Sequence, residues 1–341
     1  MKKRIAYLDL IRIIACIAVF TCHFNAAVCG LQPDGSLLYP GNRVAPIHVM
    51  GGVYMGDFGV ILFFILTGAA LELSASNHPG MTTGDFYRKR IVSIYPMYWI
   101  TWLIFTVLGF FLNHGLSPAP LWHLIPSILG LDGYLLTLGL PGGGFYQVGE
   151  WYLGCLMLVY LFYPILDKWS RKAPVPTVLV LLFFHQVMKF ELGSIFFAHR
   201  FLEVLFGMYL VRYLKEPKWT HALFAYVVMT AAVFGRSHFH PFTYSLVIMM
   251  CLFVLFAWGG SFLKREDQMA RISKLGKLTF PFYLCHHRII ALLTAPFGVG
   301  DQGMRNIIFL YVLTLVIVTV SALGIQKLTE RLMKPLLAGN T

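Results

Sequence analysis

A chain of 341 residues with 58% apolar and only 12% charged side chains, at a mean hydropathy of +0.70, has too little polar surface to fold as water-soluble domains. The formal charge of +12 could suggest a nucleic-acid partner, but the basic residues cluster between apolar runs, where they mark one face of a membrane. The composition therefore points to a lipid bilayer as solvent, with no nucleic acid as partner.

Apolar runs long enough to cross a hydrocarbon core of ~30 Å predict ten spans. In chain order they cover Tyr7–Ala27, Gly56–Leu73, Ile91–Leu112, Trp151–Leu166, Pro176–Met188, Ile195–Tyr213, Trp219–Phe234, Pro241–Trp258, Leu278–Pro296 and Asn306–Gln326. Residues 1–341 then form one all-α, polytopic membrane bundle with no appended soluble domain. Asp9, Arg12 and the apolar length favour a retained first helix over a cleaved secretory signal. With both termini cytoplasmic, twenty of the 27 Lys and Arg fall inside, and five (Arg43, Lys189, Arg200, Arg236, Arg305) fall outside. Five of the six cysteines sit in apolar runs and Cys29 in a loop, so no disulfide framework is expected. The run Pro141–Gly144 lacks the Lys and Ser/Thr of a phosphate-binding loop.

Ionisable side chains inside lipid are expensive, so each is a site hypothesis. Arg12 and His23 lie eleven residues apart, which at ~100° per residue returns to nearly the same face of the first helix, ~16 Å apart in depth. A guanidinium at the inner boundary suits a phosphate, and an imidazole deeper in suits general-base or nucleophilic work. The alternative is that Arg12 pairs with Asp9 and His23 only packs. His286 and His287 form a second group and His199, Arg200 and Glu203 a third. Adjacent histidines diverge by ~100° on a helix, so no metal site is expected. Arg88, Lys89 and Arg90 either anchor to lipid phosphates or hold a soluble polyphosphate.

Several separated motifs then resemble the acyltransferase-3 family of integral-membrane acyltransferases over nearly the full chain. Arg12 and His23 match its Arg, ten residues, His pattern, and Gly59–Gly68 matches its Gly-Val-x-Leu-Phe-Phe-x-Leu-Ser/Thr-Gly segment. Phe86–Arg90 with Ile94, Pro96 and Tyr98 resembles its basic inner loop and Ile-x-Pro-x-Tyr. Trp151-Tyr152-Leu153 with Tyr160 and Pro164, and Tyr283-Leu284-Cys285-His286, match two later motifs. Ser93 stands where the family often has a further Arg, and Cys155, Leu156 and Met157 where some members carry acids.

The resemblance implies transfer of an acyl group, acetyl being the usual one, from cytosolic acyl-CoA to a hydroxyl of a carbohydrate, in a plasma-membrane enzyme that needs no metal. The donor's phosphates are then expected at Arg12, Arg88, Lys89 and Arg90, and the chemistry at His23, as base or as transient acyl carrier, with Arg12 catalytic as well and with His286 and Glu150 or Glu203 as assistants. The acceptor is expected to be an extracytoplasmic glycan. The rival class is a transporter or flippase, because buried Arg, His and Glu also mark substrate pathways.

Overall fold

The computed structural model describes residues 6–32, 36–112, 115, 119–139, 145, 148–188, 196–214, 217–263, 265–298 and 300–338. Ile195, Pro141–Gly144, and the basic residues Lys2, Lys3, Arg4, Lys189, Lys215 and Lys264 used in the charge count lie outside them. Among the described residues the chain is helical with no strand: α1 (Ala6–Cys29), α2 (Met55–Asn77), α3 (Thr83–Leu112), α4 (Leu124–Leu129), α5 (Asp132–Thr137), α6 (Glu150–Lys172), α7 (Pro174–Met188), α8 (Arg200–Tyr209), α9 (Trp219–Phe234), α10 (Pro241–Gly260), α11 (Glu266–Thr294) and α12 (Met304–Ala338).

Among the described residues five helical stretches are long and apolar enough to cross a membrane: Tyr7–Cys29, Met55–Asn77, Thr83–Leu112, Pro241–Gly260 and Met304–Lys334. Large apolar side chains such as Phe111, Leu103, Phe309 and Val320 point outward on them, as lipid-facing positions do. The protein is thus a helical membrane protein.

Several predicted boundaries shift for local reasons. The basic run Arg88–Arg90 lies inside α3 rather than in a loop. Thr82 and Asp85 cap that helix reciprocally, with Asp85 N–H donating to Thr82 Oγ1 at 3.1 Å and Thr82 N–H to Asp85 Oδ2 at 3.2 Å. Ser93 donates its hydroxyl to the Arg90 carbonyl at 3.0 Å, so it serves the backbone where the family Arg would carry charge. Cys29 closes α1 and is buried; all six cysteines are free thiols. α8 begins at Arg200 and passes into a π turn at Leu210–Leu214.

The chain divides into two compact units, one of Met1–Val19, Ile47–Phe86 and Leu158–Lys277, the other of Phe20–Pro46, Tyr87–Met157 and Leu278–Thr341. In the first, α2 and α8 meet at glycine: a Cβ on Gly68 would overlap the Val204 carbonyl, and one on Gly207 the Ile65 carbonyl. Small residues let helix backbones touch where lipid supplies no hydrophobic drive. The same unit holds a partly buried ion network, with Glu72 at its buried centre. Glu72 Oε2 receives Arg212 Nη2 at 2.6 Å and Arg171 Nη2 at 3.1 Å, and Asp167 Oδ1 receives Arg171 Nε at 2.9 Å and Arg212 Nη2 at 3.1 Å.

In the second unit, Phe20 and Phe24 pack on Phe282 and Tyr311. The stretch before α6 is pinned by polar contacts: Trp102 Nε1 donates to Phe145 O at 3.0 Å, Tyr98 to Ser127 O, and Ser127 Oγ to Asp132 Oδ2 at 2.6 Å. Burial pushes the Asp132 carboxyl above its ordinary value, offset by the donors of Ser127 and Gly133.

Replacing Gly207 by Val is expected to lower the thermal unfolding temperature of the purified protein by at least ~5 °C, the overpacking cost at a backbone contact. Valine at Gly324, where an added Cβ meets nothing, is the control that should change it little.

Candidate active site

The second unit gathers His23, Glu150, His286 and His287. α1 supplies His23, the first residue of α6 supplies Glu150, and consecutive positions of α11 supply the other two. His23 Nε2 lies 3.1 Å from Glu150 Oε2, and His287 Nδ1 lies 3.0 Å from Glu150 Oε1. His286 Nε2 stands 3.9 Å from that same Oε1, and its ring centroid is 5.3 Å from that of His23.

Backbone geometry aims Glu150. Gly149 has φ +97° and Glu150 itself φ +37°, a left-handed conformation that costs a non-glycine residue on the order of 1–3 kcal/mol. Tyr283 donates its hydroxyl to the Gly149 carbonyl, tying this turn to α11 one helical turn before the histidines. Glycine at 149 is required twice, by its φ and because a Cβ there would stand 2.6 Å from Leu153 Cδ2.

The hydrogen bonds assign tautomers. A carboxylate only accepts, so His23 presents Nε2–H to Glu150 and keeps its lone pair on Nδ1; the side chain is 29% exposed. His286 donates Nδ1–H to the Tyr283 carbonyl at 2.6 Å, so its neutral ring carries the lone pair on Nε2. That nitrogen is buried and has no hydrogen-bond partner. Glu150 Oε1 also has no hydrogen-bond partner, although His287 Nδ1 stands 3.0 Å from it. Two buried acceptors therefore face each other 3.9 Å apart with no donor between them. A hydroxyl or a water could satisfy them, as each buried acceptor requires.

The ligand-type atoms of His23, Glu150 and His286 lie within 4.8 Å of one another, so a cation could also be held there. The expectation that neighbouring histidines diverge needs correction in one respect. Their side chains do leave the helix in different directions, yet both rings reach the same carboxylate, because Glu150 projects from another element.

Five other expected residues are not among these four. Arg12 belongs to the first unit, where its Nη1 donates to Asp9 Oδ1 at 2.6 Å. Glu203 is also in the first unit, receiving Arg200 Nη1 at 2.6 Å. Arg88, Lys89 and Arg90 occupy successive positions near the start of α3, so they fan around its axis instead of forming one cluster. Sequence reasoning missed His287 as a participant, and missed Glu72, an acid near the end of the second apolar run whose cost in lipid was the available signal.

A carboxylate flanked by imidazoles within a helical membrane protein defines a membrane enzyme of the acid–base or group-transfer type. The acyltransferase-domain profile matches residues 5–325, and the chain belongs to the acyltransferase-3 family. It is 26% identical over 323 residues to Acyltransferase MdmB of Streptomyces mycarofaciens, which covers 84% of this chain and 79% of that protein. No solved structure matches it.

Glu150→Gln is expected to lower acyl transfer by about 10²- to 10⁴-fold, since the amide cannot hold an imidazolium. Tyr283→Phe should cost about tenfold, as loss of an outer-shell positioning contact does. Initial rates on the purified variants check both.

Proposed function

We propose that the protein transfers an acyl group, acetyl in the first instance, from cytosolic acyl-CoA to a hydroxyl of an extracytoplasmic carbohydrate. In this reading α6, α7, α8, α9 and α11 complete ten spans in the plasma membrane, with both termini in the cytoplasm. The observation that carries it is the His23–Glu150 pair set beside the buried, unsatisfied Nε2 of His286.

The chemistry follows from those atoms. The acceptor hydroxyl gives its proton to His23 Nδ1 as its oxygen attacks the thioester carbonyl. A C–O bond forms, the C–S bond breaks, and the thiolate leaves as coenzyme A thiol with the proton from the imidazolium. Glu150 steadies that imidazolium, and a low-dielectric setting strengthens the attraction. The donor's phosphates suit cations of the kind that Arg88, Lys89 and Arg90 supply. No step uses a metal.

Labelled acetyl-CoA incubated with purified protein and isolated cell-envelope glycan should give labelled glycan and free thiol. His23→Ala should reduce this by at least ~10²-fold with helical content unchanged. Retained transfer in that variant removes His23 from the chemistry, and movement of unmodified glycan without consumption of acyl-CoA favours a transporter. Treatment with 1,10-phenanthroline should leave the rate unchanged; inhibition reversed by zinc would assign His23, Glu150 and His286 to a cation.

A further inference from the structure

The first unit contains a cavity of about 630 Å³ that the acyl-transfer chemistry does not use. One wall is a tight hairpin, closed by Val49 N–H to Val53 O and Met55 N–H to Ile47 O, both 2.8 Å, which carries His48 and Tyr54. Asp57 follows in the first turn of α2. The opposite wall runs from the end of α9 through the turn Arg236–His238 into α10, and brings Arg236, Ser237, Phe239 and Ser245.

Arg236 is built into place. Its guanidinium lies 5.3 Å from the centre of the Tyr244 ring, and Tyr244 donates its hydroxyl to the Gly51 carbonyl. Gly52 has φ +77°, and a Cβ there would stand 2.5 Å from Arg236 Nη1, so the glycine makes room for the cation. Among the described residues Arg236 makes no ion pair. Asp57 and Ser245 also line a small pocket of about 20 Å³, room for one water, with Arg200, Glu203, His185 and His199. Glu203 is 3% exposed, and its Oε2 has no hydrogen-bond partner.

We propose that this cavity binds a saccharide. Asp57 only accepts hydrogen bonds and Arg236 only donates them, so the pair is satisfied together by a ligand whose groups do both, as hydroxyls do. An anion meets Asp57 with Glu203 behind it, and a cation meets Arg236 with Arg200 behind Asp57. A purely apolar ligand would bury these charges without partners. Tyr54 and Phe239, 37% and 39% exposed, offer flat apolar faces at the opening for the C–H face of a sugar ring. The volume suits one small-molecule ligand, within the ~300–1,000 Å³ range of such sites. That the sugar held here is the acyl acceptor rests on the acyl-transfer reading; that the cavity takes a sugar does not.

The test uses full-length protein in phosphatidylcholine nanodiscs, free of glycosidic detergent. Saturation-transfer NMR is recorded with the methyl glycosides of glucose, galactose, mannose, rhamnose and N-acetylglucosamine. At least one should bind saturably, and Asp57→Asn, Arg236→Ala and Tyr54→Ala should each weaken it about tenfold or more. Ser237→Trp, which fills the mouth from an exposed turn and leaves the buried charges intact, should abolish binding even if the Asp57 variant fails to fold. Gly324→Val, where an added Cβ meets nothing, should bind as the wild type does. Saturable binding by no glycoside, or undiminished binding in Ser237→Trp and Arg236→Ala, overturns the proposal. Sugar binding without any acyl transfer sinks the catalytic reading alone, and transfer without sugar binding at this cavity sinks only the proposed site.

Discussion

A carboxylate withdrawn from water must find cations or hydrogen-bond donors, and Glu150 finds them in histidines from two other stretches of chain. Everything proposed about the chemistry depends on that pairing. It fixes which nitrogen of His23 bears the proton, draws His287 in, and leaves Oε1 facing His286. The backbone accepts an unfavourable conformation at Glu150 to make it possible. Strain of this kind persists only where neighbours over-determine it, and here Tyr283, Gly149 and the packed Leu153 do so.

The first unit solves the same electrostatic problem differently. Glu72 and Asp167 share two guanidiniums, so each charge there is balanced, and the network joins α2, α6 and the π turn. Removing one member of such a buried set leaves an uncompensated ion, which costs far more than the set contributes when whole. Arg200 and Glu203 form a smaller closed pair that leaves one carboxylate oxygen unsatisfied. The contrast separates charges that hold helices together from charges kept available for a ligand.

Much of this was legible in the chain. Long apolar runs report helices directly, and the price of ionisable groups in lipid singled out His23, His286 and Glu203, while Glu150 entered only as an assistant just outside a span. Local spacing also offered the Arg12–Asp9 pair, which needs only one helical turn. What could not be read was assembly across distance. Glu72 pairs with residues 99 and 140 positions away, and no periodicity reports such a partner. Nor could spacing within α11 show that His286 and His287 converge, because the convergence lies in Glu150. The basic run near residue 88 looked like a loop because charge interrupts the apolar pattern, whereas the Thr82 and Asp85 cap starts the helix earlier.

The π turn at Leu210–Leu214 carries the network's most shared cation, Arg212. A wide turn of this kind amounts to one surplus residue in an otherwise α-helical course. Excising Val211 would restore ordinary winding and move Arg212 to a different position around the axis. The length of the chain between Gly207 and Arg212 is therefore as much a part of the charge network as the identity of its side chains.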